Sequence, residues 1–170
     1  MTSHPLNVTL DLLDALLSPT DRASAELMYH SLPLISRASS ILSILISFPP
    51  QCNTNTGRIM LASVLLRRDI ATMGGTIDNS VHLSEKKSYA KLLTEMVDPM
   101  MDLFGKANDG TRRFLGHVVA EICLSLSVLD ESNENLSEKV IREIIDRIGP
   151  GVSQLIYKIP HLSVDIYKLI

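Results

Sequence analysis

Apolar positions in this chain recur at helical spacing almost from end to end, and the breaks between runs are marked by proline, glycine and short polar stretches. Leu6, Leu10, Leu13 and Leu17, widened by Leu12 and Leu16, predict a first helix over 6–17. Ser18-Pro19 ends it and opens the next, with Ser18 as N-cap, Pro19 at the first helical position and Asp21 as the acid two residues on. That second helix runs to about Leu32. Ala25, Met28 and Leu32 form its core line, and Arg22, Glu26 and His30 its other side. A third helix, 35–48, lies between Pro33 and Pro49-Pro50.

The segment 57–73, GRIMLASVLLRRDIATM, organises the rest. Ile59, Leu66, Ile70 and Met73 form one apolar stripe at about 100° per residue, Met60, Val64 and Ala71 a second, and Leu61 and Leu65 much of a third. Such a helix has to be enclosed on most sides. With Arg58 as origin, Ala62, Leu65, Asp69 and Thr72 fall within about 40° and Arg68 about 80° away. The expected open strip is therefore the one carrying Arg58 and Arg68, with Arg67 opposite, among apolar neighbours.

Beyond Gly74-Gly75, Ser84 reads as the N-cap of a fifth helix with Tyr89, Leu92, Leu93, Met96 and Val97 on its apolar side, and Pro99 is expected to kink or restart it. Asn108-Asp109-Gly110 is a turn and cap. A sixth helix, 111–129, buries Leu115, Val118, Val119, Ile122, Leu126 and Leu129 and turns Arg113, His117, Ala120 and Leu124 the other way. Leu136 and Ile141 staple a seventh around Ser137, Gly149-Pro150-Gly151 stops it, and the tail 152–170 has weaker helical patterning. The expected hairpins are 6–32, 35–73, 84–129 and 136–170. Their starts are separated by roughly 29, 49 and 52 residues, averaging about 43, within the range of HEAT and armadillo units. The expectation is a single all-α domain over 1–170, a right-handed α-solenoid of about four HEAT-like hairpins. An irregular helical bundle fits the same helices.

Composition agrees: 45% of residues are apolar, dominated by Leu and Ile, while aromatics are 4% and Trp is absent, a mix suited to helix-on-helix packing. A formal charge of −3 supplies no global field toward nucleic acid or anionic lipid. No run approaches the ~20 apolar residues that span a bilayer, and the N-terminus lacks a basic leader, so a soluble intracellular protein is expected. Cys52 and Cys123 stand alone and read as ordinary thiols. His4, His30, His82, His117 and His161 are scattered without metal-ligand spacing. Glu131, Glu134 and Glu138 read as a solvated charge group, and no phosphate loop or nucleophile elbow occurs. No catalytic residue, cofactor site or metal site is expected.

Two passages add a resemblance. Leu12-Leu13-Asp14-Ala15-Leu16-Leu17-Ser18-Pro19, followed by Arg22-Ala23-Ser24-Ala25-Glu26 and Tyr29, resembles the opening repeat of the importin-beta (karyopherin-beta) family of nuclear transport receptors. Arg58-Ile59-Met60-Leu61-Ala62-Ser63-Val64-Leu65-Leu66-Arg67-Arg68 resembles the inner helix of that family's second repeat, its VLLRR ending being closest to the importin-five (importin beta-three) type. Arg112-Arg113 with Val119-Ala120-Glu121-Ile122 is similar, more loosely, to the third inner helix. Gly74-Gly75 and Pro99 depart from the pattern, and family members are far longer. The resemblance implies the N-terminal segment of a receptor working between cytoplasm and nucleus. Its inner helices would grip the GTP form of the small GTPase Ran, with cargo and Phe-Gly nucleoporins left to repeats missing here. Arg58 and Arg68 are the first candidates for that contact, then Arg67, Arg113, His117, Glu26 and His30. The alternative is a HEAT-repeat scaffold for some other protein.

Overall fold

A computed structural model describes residues 8–48, 55–75, 83–129 and 142. Its elements are all α-helices: α1 (Leu10–Leu17), α2 (Arg22–Ser31), α3 (Leu34–Ser47), α4 (Thr56–Gly75), α5 (Leu83–Lys106) and α6 (Asp109–Leu129). The all-α expectation holds. The fourth hairpin, 136–170, apart from Arg142, and Cys52 lie outside the described residues.

The helices pack as sequential pairs, α1 on α2, α3 on α4 and α5 on α6. The second and third pairs then meet side by side, α3 against α5 and, more extensively, α4 against α6. Register along α4 and α6 is fixed by two contacts. Arg67 meets Glu121, and three residues further on the Ser125 hydroxyl donates to the Ile70 carbonyl at 3.2 Å. The two helices therefore run in the same direction, as equivalent members of neighbouring hairpins do. The first pair attaches differently: α1 itself packs on α4. Helix α4 thus touches α1, α3, α5 and α6, and its Leu66, Ile70 and Met73 are completely buried.

Several local expectations are corrected. Helix α1 starts at Leu10, because Thr9 is extended and its hydroxyl accepts the Leu12 N–H at 3.2 Å, capping the helix there; Leu6, the expected start, lies outside the described residues. Ser18 is the C-cap of α1 rather than the N-cap of α2; its N–H bonds the Asp14 and Ala15 carbonyls, and its hydroxyl donates to Asp21. Asp21 takes the N-cap position of α2. The core line of α2 is Ala25 and Tyr29, while Met28 is 60% exposed. Pairing Tyr29 with the interior keeps Ala25 inside and turns the buried face of the helix by about 50° from the expected one. Helix α5 begins at Leu83, so Ser84 lies inside it, and it passes through Pro99 without a break. Burial of Leu93, Met96 and Val97 before the proline and Met100, Met101 and Leu103 after it outweighs the ~3 kcal/mol that an interior proline costs. The remaining boundaries match closely. Asn108 does cap α6, its side-chain carbonyl accepting the Thr111 N–H at 2.9 Å, and the expected α6 stripe is buried apart from half-buried Leu129.

Candidate functional site

The open face of α4 is turned well away from the expected one, although Arg68 and Thr72 are exposed as expected. Asp69 is 1% exposed, and Ala62 and Leu65 are buried with it. The residues facing outward are instead Met60 (41%), Val64 (53%), Arg67 and Ala71, flanked by Arg68. Arg67, expected among apolar neighbours, thus lies at the open side.

The cause is a polar node that spans three helices. The Tyr29 hydroxyl on α2 donates to Asp69 Oδ2 on α4 at 2.5 Å, and Arg37 Nη2 on α3 donates to Asp69 Oδ1 at 3.1 Å. The Arg37 guanidinium lies 4.9 Å from the Tyr29 ring centroid and that of Arg68 5.4 Å. A carboxylate inside a helical core requires partners of this kind, because an isolated buried charge costs far more than its helix can return. Burial raises the Asp69 carboxyl above its ordinary pKa, against the opposing pull of Tyr29, Arg37 and Arg68. Burial, then the bond to Asp69, raises the Tyr29 phenol, so its proton stays in place as a donor. Arg37 Nε has no partner among the described residues. With Asp69 anchored inward, the opposite arc of α4 faces out.

On that arc the structure brings together six of the seven candidate partner-binding residues. Glu26 on α2 lies within electrostatic reach of both His30 and Arg68, and it accepts from Arg22 Nε at 2.8 Å, the main cause of its lowered pKa. Next along α4, Arg67 Nε donates to Glu121 on α6 at 3.2 Å. Arg67 and Arg113 both act on His117, whose pKa is lowered first by desolvation and then by these two cations. The strip thus crosses α2, α4 and α6. Arg58 does not join it. Its guanidinium forms a bidentate pair with Asp14 of α1, at 2.7 and 2.5 Å, and ties the start of α4 to the first hairpin.

Sequence reasoning passed over Tyr29, Arg37 and Asp69. The available signal was Asp69 itself, a carboxylate flanked at helical spacing by Leu65, Leu66, Ile70 and Met73. Among the described residues no cluster of His, Cys, Asp or Glu could hold a metal, and no helix is long and apolar enough to cross a membrane. A cavity of about 10 Å³ between Leu45, Phe48, Ile59, Leu103 and Leu115 is apolar and has room for about one water at most. Burial pushes the Cys123 thiol up to about 12, which leaves it unreactive.

Comparison with known proteins gives no family model, no curated protein and no solved structure that matches this chain. The likeness to importin-beta receptors therefore rests on the quoted residues alone.

Proposed function

We propose that this chain is a protein-binding segment of a helical-repeat solenoid, and that its partner face is the strip across α2, α4 and α6. Its role is binding rather than catalysis. The observation that supports this reading most is the convergence of Glu26, His30, Arg67, Arg68, Arg113 and His117 from three successive second helices onto one exposed strip. Charged side chains there steer encounter, and Met60 and Val64 between them supply apolar contact area.

The partner that the importin-beta resemblance assigns is Ran in its GTP form, with transport between cytoplasm and nucleus as the setting. Titrating the chain with Ran loaded with a non-hydrolysable GTP analogue or with GDP tests that assignment. Binding selective for the GTP form and weakened by Arg68→Glu, with helical circular dichroism retained, is the expected result. Absence of binding in both nucleotide states, or equal binding in both, removes Ran and leaves a HEAT-type scaffold for a different protein.

A further inference from the structure

The same strip carries a charge pattern that specifies its partner more closely, and this inference rests on the reading of that strip as a binding face. The chain as a whole is acidic, with a formal charge of −3. The strip has the opposite sign. Arg22, Arg67, Arg68 and Arg113 stand against Glu26 and Glu121, an excess of two positive charges before either histidine is protonated. Both carboxylates are already engaged, Glu26 by Arg22 and Glu121 by Arg67. Neither Arg113 nor Arg68 forms an ion pair among the described residues; Arg68 rests on the Tyr29 ring, exposed, with Glu26 and Asp69 within electrostatic reach. Exposed apolar side chains accompany the cations: Met60 and Val64 on α4, in the turns before Arg67, and Leu124 on α6, past Arg67 at about the level of Ile70.

We propose that this face takes an acidic, amphipathic protein segment, whose carboxylates pair with Arg68 and Arg113 while its apolar side chains cover Met60, Val64 and Leu124. Arginine suits this role because its guanidinium forks onto carboxylates and sheds its hydration cheaply. Nucleic acid, the other polyanion that a basic strip could attract, fits poorly. Its single strands are held by stacking on aromatic rings. Here Tyr29 and Phe48 are buried, and Tyr89, Phe104 and Phe114 are half-buried.

The test is selection of a random-peptide library on the immobilised full chain, with an RNA oligonucleotide pool run in parallel. Enrichment of peptides that combine Asp or Glu with Leu, Ile or Phe is expected. So is a loss of affinity of about three- to tenfold on Arg113→Glu, and a steady weakening with added salt. Arg113 is exposed and stands apart from the buried node, so its reversal leaves the fold intact. Arg68→Glu serves as the second variant, read alongside circular dichroism. An enriched pool that is neutral or basic, no enrichment, binding unaffected by Arg113→Glu, or retention of RNA in preference to peptide overturns the proposal. The Ran titration is separate: acidic peptides selected by a chain that ignores Ran sink the transport assignment and leave this inference standing, and the reverse outcome does the opposite.

Discussion

Replacing Tyr29 by Phe removes one oxygen atom from the buried node and leaves the ring that Arg37 and Arg68 stack upon. The lost bond is from a hydroxyl to a carboxylate, 2.5 Å long, between residues that are each 1% exposed. A hydrogen bond to a charged group contributes about 1.5–3 kcal/mol, and the Asp69 oxygen left behind is buried with no other hydrogen-bond donor among the bonds described. A loss of about 2 kcal/mol is therefore expected, which for a chain of 170 residues lowers the melting temperature by about 4–8 °C. Asp69→Ala should cost more, about 3–5 kcal/mol, because Arg37 then keeps a buried charge with no counterion. Urea unfolding of both single variants and the double variant, followed by circular dichroism, measures the pair directly. The coupling energy between Tyr29 and Asp69 should exceed about 1 kcal/mol. If Tyr29→Phe stays within about 0.5 kcal/mol of the parent, the node does not hold α2 to α4, and the reason given for the orientation of α4 fails.

Gly74→Ala places a Cβ 2.7 Å from the Ser125 Oγ and 3.2 Å from its Cα, so α4 and α6 have to separate. A loss of about 1–3 kcal/mol is expected by thermal melting, whereas Gly75→Ala, with open space around it, should be neutral or slightly stabilising. Pro99→Ala restores a backbone donor in mid-helix and should raise the melting temperature of the chain; a fall would mean that the ring's packing outweighs the missing bond. His117 is held below its usual pKa of 6.5, so the folded chain favours its neutral form. The stability tied to it is complete above about pH 6.5 and is lost as the pH falls through the depressed value, so His117→Gln should lose less on going from about pH 7.5 to about pH 5.5 than the parent chain does.

The parts of the fold readable from the sequence are those fixed by local chemistry. Proline at 33 and at 49–50 brackets α3, Asn108 opens α6, and the α6 stripe is single and unambiguous, so these boundaries and faces came out close to the structure. Helix α4 resisted because it is apolar on nearly every side. Hydrophobicity cannot rank its faces, and the choice is made by Asp69, whose partners lie 40 residues back on α2 and 32 back on α3. The same non-local pair explains α2, where Met28 and Tyr29 are both large. Only the phenol can both fill the core and satisfy a buried acid. Helix α5 shows packing overriding a breaker, since its Pro99 is flanked by buried side chains on either side. Of the two α4 candidates expected on the open strip, Arg68 is exposed and Arg58 is tied to Asp14, while Arg67, expected among apolar neighbours, faces out. The grouping of the candidate residues depends on the parallel register of α4 and α6, which no local pattern contains.

A common face across α2, α4 and α6 is tested most directly by amide hydrogen exchange of the full chain, alone and saturated with its tightest-binding protein or peptide ligand. Slowed exchange concentrated in 22–31, 58–71 and 113–128, with the α3 and α5 amides unchanged, is the expected footprint. Protection confined to α3 and α5, or to the α1 end of the molecule, would contradict it.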